Sequence, residues 1–249
     1  MIPNKIVNST YGPMIINAND QYVGRSIEMH GYWAQEDIDL IKSLFDLILT
    51  TKPKMLFYDI GANIGTHTVA LAKTLGDKIQ VRSFEAQRQM YYLLCGNVAV
   101  NGLDNVICHH NAVSDVADNT MAIDLPDYNM PNNFGGLELV APQRSDNKYM
   151  TKTQNELVTT ITIDQFDEAV DFIKLDIEGM EHLALAGGIN VITKYRPICF
   201  VEMYKTDIEA VKKFYKDLDY LAYAHKPDDW VFFPRESQFC LTNAPKIEL

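Results

Sequence analysis

A glycine turn stands between an apolar strand pattern and a helical pattern near residue 60. Residues 55–60 are apolar except for Asp59, and Gly61 and Gly65 follow immediately. Glycine has no Cβ and tolerates positive φ, so such a turn brings backbone N–H groups close to a ligand. A helix that starts at about Thr66 adds its own unpaired N–H donors. The pattern predicts an α/β fold in which this turn meets a nucleotide-type ligand.

Strand and helix patterns alternate on both sides of a long polar connection. Before it, the predicted elements are strands at 55–60, 79–84 and 106–109 and helices at 66–75 and 90–100. After it, they are strands at 170–177, 198–203, 220–224 and 230–233 and helices at 180–186 and 208–218. Apolar strands that alternate with helices are typical of a parallel, doubly wound sheet, buried on both faces.

Two segments depart from this alternation. Residues 1–35 read as irregular, and an apolar stripe at helical spacing then predicts a helix over 38–48 that ends before Pro53. We therefore expect an N-terminal segment, 1–53, packed on a single core domain, 54–249. The second departure is a polar connection, 126–156, between strand patterns at 120–125 and 157–163. Its stretch Asn132–Gly136 forms either a lid or a plain loop.

Composition excludes several classes of partner. The net charge of −11 opposes non-specific binding to nucleic acid or to anionic membranes. Four dispersed cysteines lack metal or redox spacing and indicate reduced thiols in the cytoplasm. No apolar run is long enough to span a membrane, and no signal-peptide pattern is present. The pattern leaves oligomeric state open.

The turn does not match the common phosphate-binding motifs. In a dinucleotide fingerprint the middle position is glycine, but here it is Asn63, and no Gly-Lys of a P-loop follows. Asp59 would repel a phosphate and suits a cation. Glu85, about twenty residues further on, lies where an acidic side chain accepts hydrogen bonds from ribose hydroxyls. S-adenosylmethionine (SAM) is the leading candidate, and a turn for an unknown nucleotide is the alternative.

With these residues in place, the chain resembles the FkbM family of SAM-dependent methyltransferases between about Tyr32 and Phe233. The matching blocks are 59–65, Phe84-Glu85-Ala86, 97–103, 111–114, 162–164 and 173–181. The last block, Lys174-x-Asp176-x-Glu178-Gly179-x-Glu181, is the most specific of them. One departure is Ala86-Gln87, where the family usually has proline after the glutamate. The family match implies a class I methyltransferase (Rossmann-like) sheet, with an antiparallel last strand and a β insertion before the fourth strand.

The resemblance also implies which residues hold the cofactor. The turn would line the methionine end, Glu85 would hold the ribose, and the start of the third connection would flank the adenine. The predicted cofactor residues are Asp59, Gly61, Ala62, Asn63, Gly65, Thr66, Glu85, Ala86, Asn111, Ala112 and Asp176. His67, beside the turn, either faces the methionine carboxylate or caps the helix.

Methyl transfer to a hydroxyl requires alignment and removal of a proton. The predicted catalytic residues are Lys174, Asp176, Glu178, Glu202 and His225. Lys174 and Asp176 share one face of a buried strand, and a buried lysine needs a partner, so we expect Lys174 to meet Asp176 or Glu202. This is either a structural ion pair or an arrangement in which Asp176 or Glu178 orients the acceptor and Lys174 tunes it. The acidic trio Asp176, Glu178 and Glu202 could also bind Mg²⁺ through its carboxylates. No fixed spacing of these residues requires a metal site, and no metal is predicted.

The family implies O-methylation of a hydroxyl on a sugar or another small polar metabolite. A nucleic-acid methyltransferase is a second hypothesis, weakened because Asp176-Ile177-Glu178-Gly179 replaces the Asn/Asp-Pro-Pro-aromatic motif of enzymes that methylate exocyclic amines. A SAM-binding protein without turnover is a third. The Tyr32-Trp33 pair either stacks on a sugar or packs the N-terminal helix.

Overall fold

A β-hairpin and two helices open the chain in this computed structural model, which describes residues 3–139, 151–242 and 244–249. They are β1 (Asn4–Ser9), β2 (Gly12–Asn17), α1 (Val23–His30) and α2 (Gln35–Ile48). The prediction that residues 1–35 are irregular is wrong. Met14 and Ile16 of β2 alternate into an apolar cluster with Leu93, and several asparagines around them mask that two-residue period.

The glycine turn stands between the first strand and helix of the main sheet. The elements here are β3 (Met55–Ile60), α3 (Thr66–Leu75), β4 (Ile79–Phe84), α4 (Arg88–Val100) and β5 (Val106–His109). The three strands pair in parallel, and each begins and ends at the residues predicted from the sequence. Their apolar patterns are unambiguous because both faces of the sheet are covered.

A separate three-stranded sheet follows, in the order β6-β8-β7. Its strands are β6 (Ala112–Val113), β7 (Thr120–Pro126) and β8 (Thr151–Ile161). The predicted insertion before the fourth strand is therefore present, although its last strand begins earlier and ends earlier than expected. Part of the predicted polar connection, 140–150, lies outside the described residues.

The second half of the chain completes the main sheet. Its elements are β9 (Phe172–Leu175), α5 (Glu181–Ala186), α6 (Ile189–Tyr195), β10 (Ile198–Glu202), α7 (Ile208–Asp217), β11 (Tyr220–Ala224), β12 (Asp229–Pro234) and β13 (Lys246–Ile247). The order of the eight strands is β13-β11-β12-β10-β9-β3-β4-β5. β12 inserts antiparallel between β10 and β11, as the family resemblance implies, and the two-residue β13 was not predicted.

Helices cover both faces of this sheet. Tyr58 points to the face covered by α5, α6 and α7, whereas its neighbour Phe57 points to the face covered by α2 and α3. In the part of the chain that the structure describes, no helix is both long and apolar enough to cross a bilayer. The boundary proposed at residue 53 stays a prediction.

The strand order reverses between β3 and β9. β4 and β5 lie on one side of this point and β10 on the other, while Ile60 pairs with both Phe84 and Leu175. Ligands of open parallel sheets bind at such a switch point, beyond the carboxyl ends of the strands. The fold therefore brings together the residues that follow β3, β4, β9 and β10.

At Gly61 the backbone of the turn lies so close to the backbone after β9 that there is no space for a side chain. Its φ is 81°, and a Cβ added there would stand 1.8 Å from the backbone oxygen of Asp176. Gly102 has a similar φ of 64° but nothing within 4 Å of an added Cβ. It therefore serves as a control for the cost of the left-handed backbone alone, about 1–2 kcal/mol.

We expect Gly61→Ala to lower the free energy of unfolding by about 1–3 kcal/mol more than Gly102→Ala does, because a backbone carbonyl must move to admit the methyl group. Urea unfolding of the two variants and the wild type measures this difference. Equal losses in the two variants would show that the close approach of Gly61 and Asp176 is not a constraint on the fold.

Candidate active site

A cavity of about 300 Å³ opens at the switch point. The strand ends and the turn supply its floor, and the N-terminal segment supplies Tyr22, Val23 and Trp33. The connection after β7 contributes Asn133, Gly135 and Gly136, so the predicted lid or loop lies against the cavity. Whether this connection moves stays a prediction.

Backbone hydrogen bonds fix the glycine turn against the end of β4. The N–H groups of Gly61 and Ala62 both donate to the Phe84 carbonyl, at 3.0 and 2.9 Å. Asn63 adopts a left-handed φ of 52°, and its N–H donates to Oε2 of Glu85 at 2.8 Å. The turn and the acidic residue after β4 thus form one rigid unit.

Glu85 is the best-defined acidic group of the cavity. Its side chain is buried, and Oε1 accepts a second backbone N–H, from Gln87, at 2.7 Å. Burial, with the charges of Asp176 and Asp59, raises the pKa of Glu85 to about 7, although the two N–H donors work in the opposite direction. The donors leave lone pairs on both oxygens for hydroxyl groups of a ligand.

Nine of the predicted cofactor residues line the cavity: Gly61, Ala62, Asn63, Thr66, Glu85, Ala86, Asn111, Ala112 and Asp176. The structure places the other two behind its wall. Asp59 is fully buried, where it accepts a hydrogen bond from Oγ1 of Thr68 at 2.6 Å. Gly65 precedes α3 and faces Leu94, because the turn directs it toward α4. Neither reaches a ligand in the cavity directly.

Lys174 joins the buried Asp59 to the cavity. Its Nζ lies 3.1 Å from Oδ2 of Asp176 and 3.7 Å from Oδ1 of Asp59. Burial opposes the charge of Lys174, but the two carboxylates outweigh it and raise the pKa of the ammonium group. The sequence left Asp176 and Glu202 as possible partners of Lys174. The structure pairs it with Asp176, and Asp59 is an additional partner.

Three carboxylates crowd the other end of the cavity. Asp176, Glu178 and Glu202 each offer an oxygen, and these oxygens lie within 4.8 Å of one another. Burial and the charge of Asp176 raise the pKa of Glu202 to about 10 and that of Glu178 to about 7. At neutral pH this cluster therefore holds protons that ordinary carboxylates would have released.

Glu181, the last residue of the most specific sequence block, holds the backbone of the turn after β9. It is fully buried, and its carboxylate accepts the N–H of Ile177 at 2.8 Å and that of Gly179 at 3.1 Å. These bonds hold the turn after β9, in which Glu178 has a left-handed φ of 55°. The turn directs Asp176 and Glu178 into the cavity.

His225, predicted as a base, does not line the cavity. Its Nε2 lies 3.0 Å from Oδ1 of Asp37 in α2, and Lys226 binds the same carboxylate. The β11–β12 connection starts at the same edge of the sheet as the cavity, because the Met203 N–H donates to the Asp228 carbonyl, but the His225 side chain faces α2. His225 therefore contacts α2 of the N-terminal segment instead of the cavity.

Sequence reasoning missed Lys205, which closes one side of the cavity. Its buried ammonium group pairs with Glu178, lies 3.6 Å from Oε1 of Glu138 and donates to the Gly136 carbonyl at 3.1 Å. It thus ties the connection after β7 to the turn after β9. A lone lysine in a loop carries no sequence signal for such a position.

His67 faces the same cavity from the first turn of α3. It is buried, and its Nε2 has no hydrogen-bond partner among the described residues. Burial, with the nearby charges of Lys174 and Lys226, lowers the pKa of His67 well below its usual value. The imidazole is therefore neutral at physiological pH and can hydrogen-bond to a ligand. Of the two interpretations of His67, its position in the cavity wall favours contact with a ligand over capping of α3.

The acidic trio contains the oxygen ligands that Mg²⁺ prefers. Two of the three carboxylates already face an ammonium group, because Lys174 pairs with Asp176 and Lys205 pairs with Glu178. Each lysine would repel a divalent cation placed between them. The geometry therefore supports a proton-holding cluster better than a metal site.

We expect Glu202→Gln to stabilise the protein at pH 8 by roughly 1–2 kcal/mol. A carboxyl whose pKa is raised on folding adds stability below the unfolded pKa, near 4.5, and this stability is lost as pH rises toward about 10. Glutamine mimics the protonated form, so the advantage of the variant shrinks toward pH 5. Urea unfolding across this range measures it.

Glu209→Gln is the matched control for this variant, because the Glu209 side chain is 85% exposed. It should leave the pH dependence of stability unchanged. The crowding of the three carboxylates would be refuted if the advantage of Glu202→Gln did not grow with pH.

Comparison with known proteins identifies a family. A family model described as the methyltransferase FkbM domain matches residues 59–225, which is more than half of the chain. A search of curated proteins found no match. Among solved structures, a methyltransferase FkbM from Methylobacillus flagellatus KT matches with a TM-score of 0.51 and 21% identity, over 73% of this chain and 44% of that chain. The present chain thus spans less than half of that protein.

Two further structures match more weakly. A SAM-bound magnesium protoporphyrin IX methyltransferase from Synechocystis PCC 6803 has a TM-score of 0.46 and 11% identity, over 86% of this chain and 82% of that chain. A SAM-dependent methyltransferase from Aquifex aeolicus has a TM-score of 0.40 and 14% identity, over 81% and 98%. The family match and the Methylobacillus structure identify the fold as the Rossmann-like α/β fold of class I methyltransferases.

Proposed function

Because the chain belongs to the FkbM methyltransferase domain family, we propose that it transfers a methyl group from SAM to a hydroxyl of a small polar acceptor, such as a sugar-containing metabolite. The observation that carries this proposal is the buried Glu85, which two backbone N–H groups aim into the cavity beside the glycine turn. A cytoplasmic location, which the four free cysteines favour, stays a prediction.

The residues around Glu85 fit an adenosine group. Glu85 would accept the ribose hydroxyls through the lone pairs that its two backbone donors leave. Ala86, Asn111 and Ala112 line the adjoining wall and would flank the adenine. The turn, with Asn63 in place of a middle glycine, would line the methionine end of the cofactor, which has no phosphate group. His67 would give its free nitrogen to the methionine end.

The carboxylate cluster supplies what the acceptor needs. When bound, SAM provides an activated methyl group. Asp176 faces the cavity with about a third of its side chain exposed, so it can accept a hydrogen bond from an acceptor hydroxyl and orient its oxygen. Glu178, with a pKa raised to about 7, is partly deprotonated at neutral pH and can take the proton that the hydroxyl releases. Glu202, with a pKa of about 10, already holds its own proton there and can donate a hydrogen bond.

Nucleic acid is the less favoured acceptor. Within the described residues, the lysines of the cavity, Lys174 and Lys205, are both paired with carboxylates, so neither is available for a phosphate backbone. The net charge of −11 also opposes the long-range attraction that nucleic-acid enzymes use. A binding protein without turnover would not require the crowded carboxylates next to the cofactor residues.

We expect SAM to bind the wild-type protein and Glu85→Gln to weaken that binding by about tenfold or more. The amide loses the negative charge, and its NH₂ group faces a backbone N–H that the carboxylate had accepted. Titration calorimetry with SAM measures the affinities, and Glu209→Gln controls for loss of a glutamate charge. Failure of the wild type to bind SAM would refute the proposed function.

We expect Asp176→Asn to reduce turnover by about 100-fold or more. The neutral amide cannot replace the charged carboxylate as acceptor of the hydrogen bond from the acceptor hydroxyl. Release of S-adenosylhomocysteine in the presence of a panel of hydroxylated sugars provides the assay. The exposed Asp46→Asn is the control, since it lies on α2 and its pair with Lys42 is at the surface. Full turnover in Asp176→Asn would remove this residue from the reaction.

A further inference from the structure

A buried row of hydrogen bonds links Glu85 to the connection after β7. Oε1 of Glu85 accepts the backbone N–H of Gln87 at 2.7 Å. The Gln87 side chain continues the row, because its Nε2 donates to the Phe134 carbonyl at 2.8 Å and its Oε1 accepts a hydrogen bond from the Tyr128 hydroxyl at 3.2 Å. Gln87 therefore contacts the acidic residue on one side and two points of the connection on the other.

The direction of these hydrogen bonds is fixed by chemistry. The Phe134 carbonyl can only accept, so the amide nitrogen of Gln87 faces it and the amide oxygen faces Tyr128. Burial, and after it the charge of Glu85, raises the pKa of Tyr128, so the hydroxyl keeps its proton and donates. Gln87, Tyr128 and Phe134 are all buried, so a bond lost in this row leaves a polar group without a partner.

The connection that supports Gln87 is itself tied to the N-terminal segment. The side-chain amides of Asn17 and Asn19 donate to the Tyr128 carbonyl at 3.1 and 3.2 Å. The Phe134 ring is fully buried in the apolar cluster that contains Ile16 of β2. The support for the Gln87 side chain thus reaches from the connection after β7 back to the N-terminal hairpin.

This row ends at the residue that the proposed function assigns to the ribose. Glu85 and Gln87 line the cavity, whereas Tyr128 and Phe134 lie behind its wall. A glutamate side chain has several rotatable bonds, and a binding group that is oriented in advance loses less entropy when its ligand arrives. A fixed N–H from Gln87 supplies such an orientation to one of the two carboxylate oxygens.

We propose that Gln87 and Tyr128 are positioning residues for Glu85. They hold the Gln87 backbone N–H against the carboxylate, so that its remaining lone pairs already face the ribose hydroxyls. This inference rests on the proposed function, in which Glu85 accepts those hydroxyls. It makes the connection after β7 a part of the cofactor site through Gln87.

The first test measures the affinity for S-adenosylhomocysteine by calorimetry at pH 8, above the pKa of about 7 of Glu85, so that the carboxylate is mostly ionised. We expect Gln87→Met, which keeps the length of the side chain but loses both hydrogen bonds, to weaken binding by about tenfold. Tyr128→Phe removes one hydroxyl and should weaken binding by about threefold.

Tyr220→Phe is the matched control for Tyr128→Phe. Tyr220 is also buried, and its hydroxyl donates to the Pro197 carbonyl at 3.1 Å, but it lies on β11 and does not line the cavity. Its loss of one buried hydrogen bond should leave the affinity for S-adenosylhomocysteine unchanged. Unchanged affinity in both Gln87→Met and Tyr128→Phe would overturn the inference.

The second test is a double-mutant cycle that separates positioning from direct contact or general loosening. Because Gln87 is inferred to act through Glu85, Gln87→Met should weaken binding by less than about twofold when Glu85→Gln is already present. A further tenfold loss in the double variant would show that Gln87 acts without Glu85 and would overturn the inference. Tyr128→Phe, which keeps all the carbon atoms of the side chain, enters the same cycle if Gln87→Met does not fold.

The third test uses the ribose hydroxyls themselves. We expect the wild type to bind adenosine about tenfold more tightly than 2′,3′-dideoxyadenosine, and this ratio to fall toward one in Gln87→Met and to an intermediate value in Tyr128→Phe. A wild-type ratio that persists in both variants would overturn the inference and leave the proposed function standing. Failure of the wild type to bind S-adenosylhomocysteine would instead refute the proposed function itself.

Discussion

The buried ammonium group of Lys174 is the interaction on which the site depends. Lys174 lies in β9 and pairs in register with Asp59 of β3, so the ion pair crosses the point where the strand order reverses. Removing either partner would leave an uncompensated charge in the core, which is far costlier than the pair itself. The same ammonium group also holds Asp176 at the rim. One side chain thus joins the strand that carries the glycine turn to the strand that carries the acceptor carboxylates.

The strands of the main sheet could be predicted because their apolar runs have no competing interpretation. β3, β4 and β5 begin and end where the pattern places them, since burial on both faces leaves little room for polar residues. The N-terminal hairpin could not be predicted in this way. Three of the six residues of β1 are exposed, and in β2 only Met14 and Ile16 are buried apolar residues.

The same distinction holds for the site. Glu85 and the turn have fixed positions relative to strand ends, so sequence spacing alone locates them. Asp59 was assigned to the cavity because its type suits a cation, but the alternation of side chains along β3 turns it toward Thr68 and Ser83. Lys205 and His225 belong to connections, where tertiary packing decides the direction of a side chain and no sequence period records it.

The two ends of the cavity differ in how their acidic side chains are surrounded. At the turn, each oxygen of Glu85 accepts one backbone N–H, so the side chain is fixed and its remaining lone pairs can accept hydroxyl groups. At the acceptor end, Glu202 and Glu178 meet like charges, and their raised pKa values mark an environment that a proton or a hydrogen-bond donor would complete. The sheet and its turn thus define the donor end. The N-terminal segment and the connection after β7 also line the cavity. Under the proposed function, changes in these two segments would alter which acceptor fits.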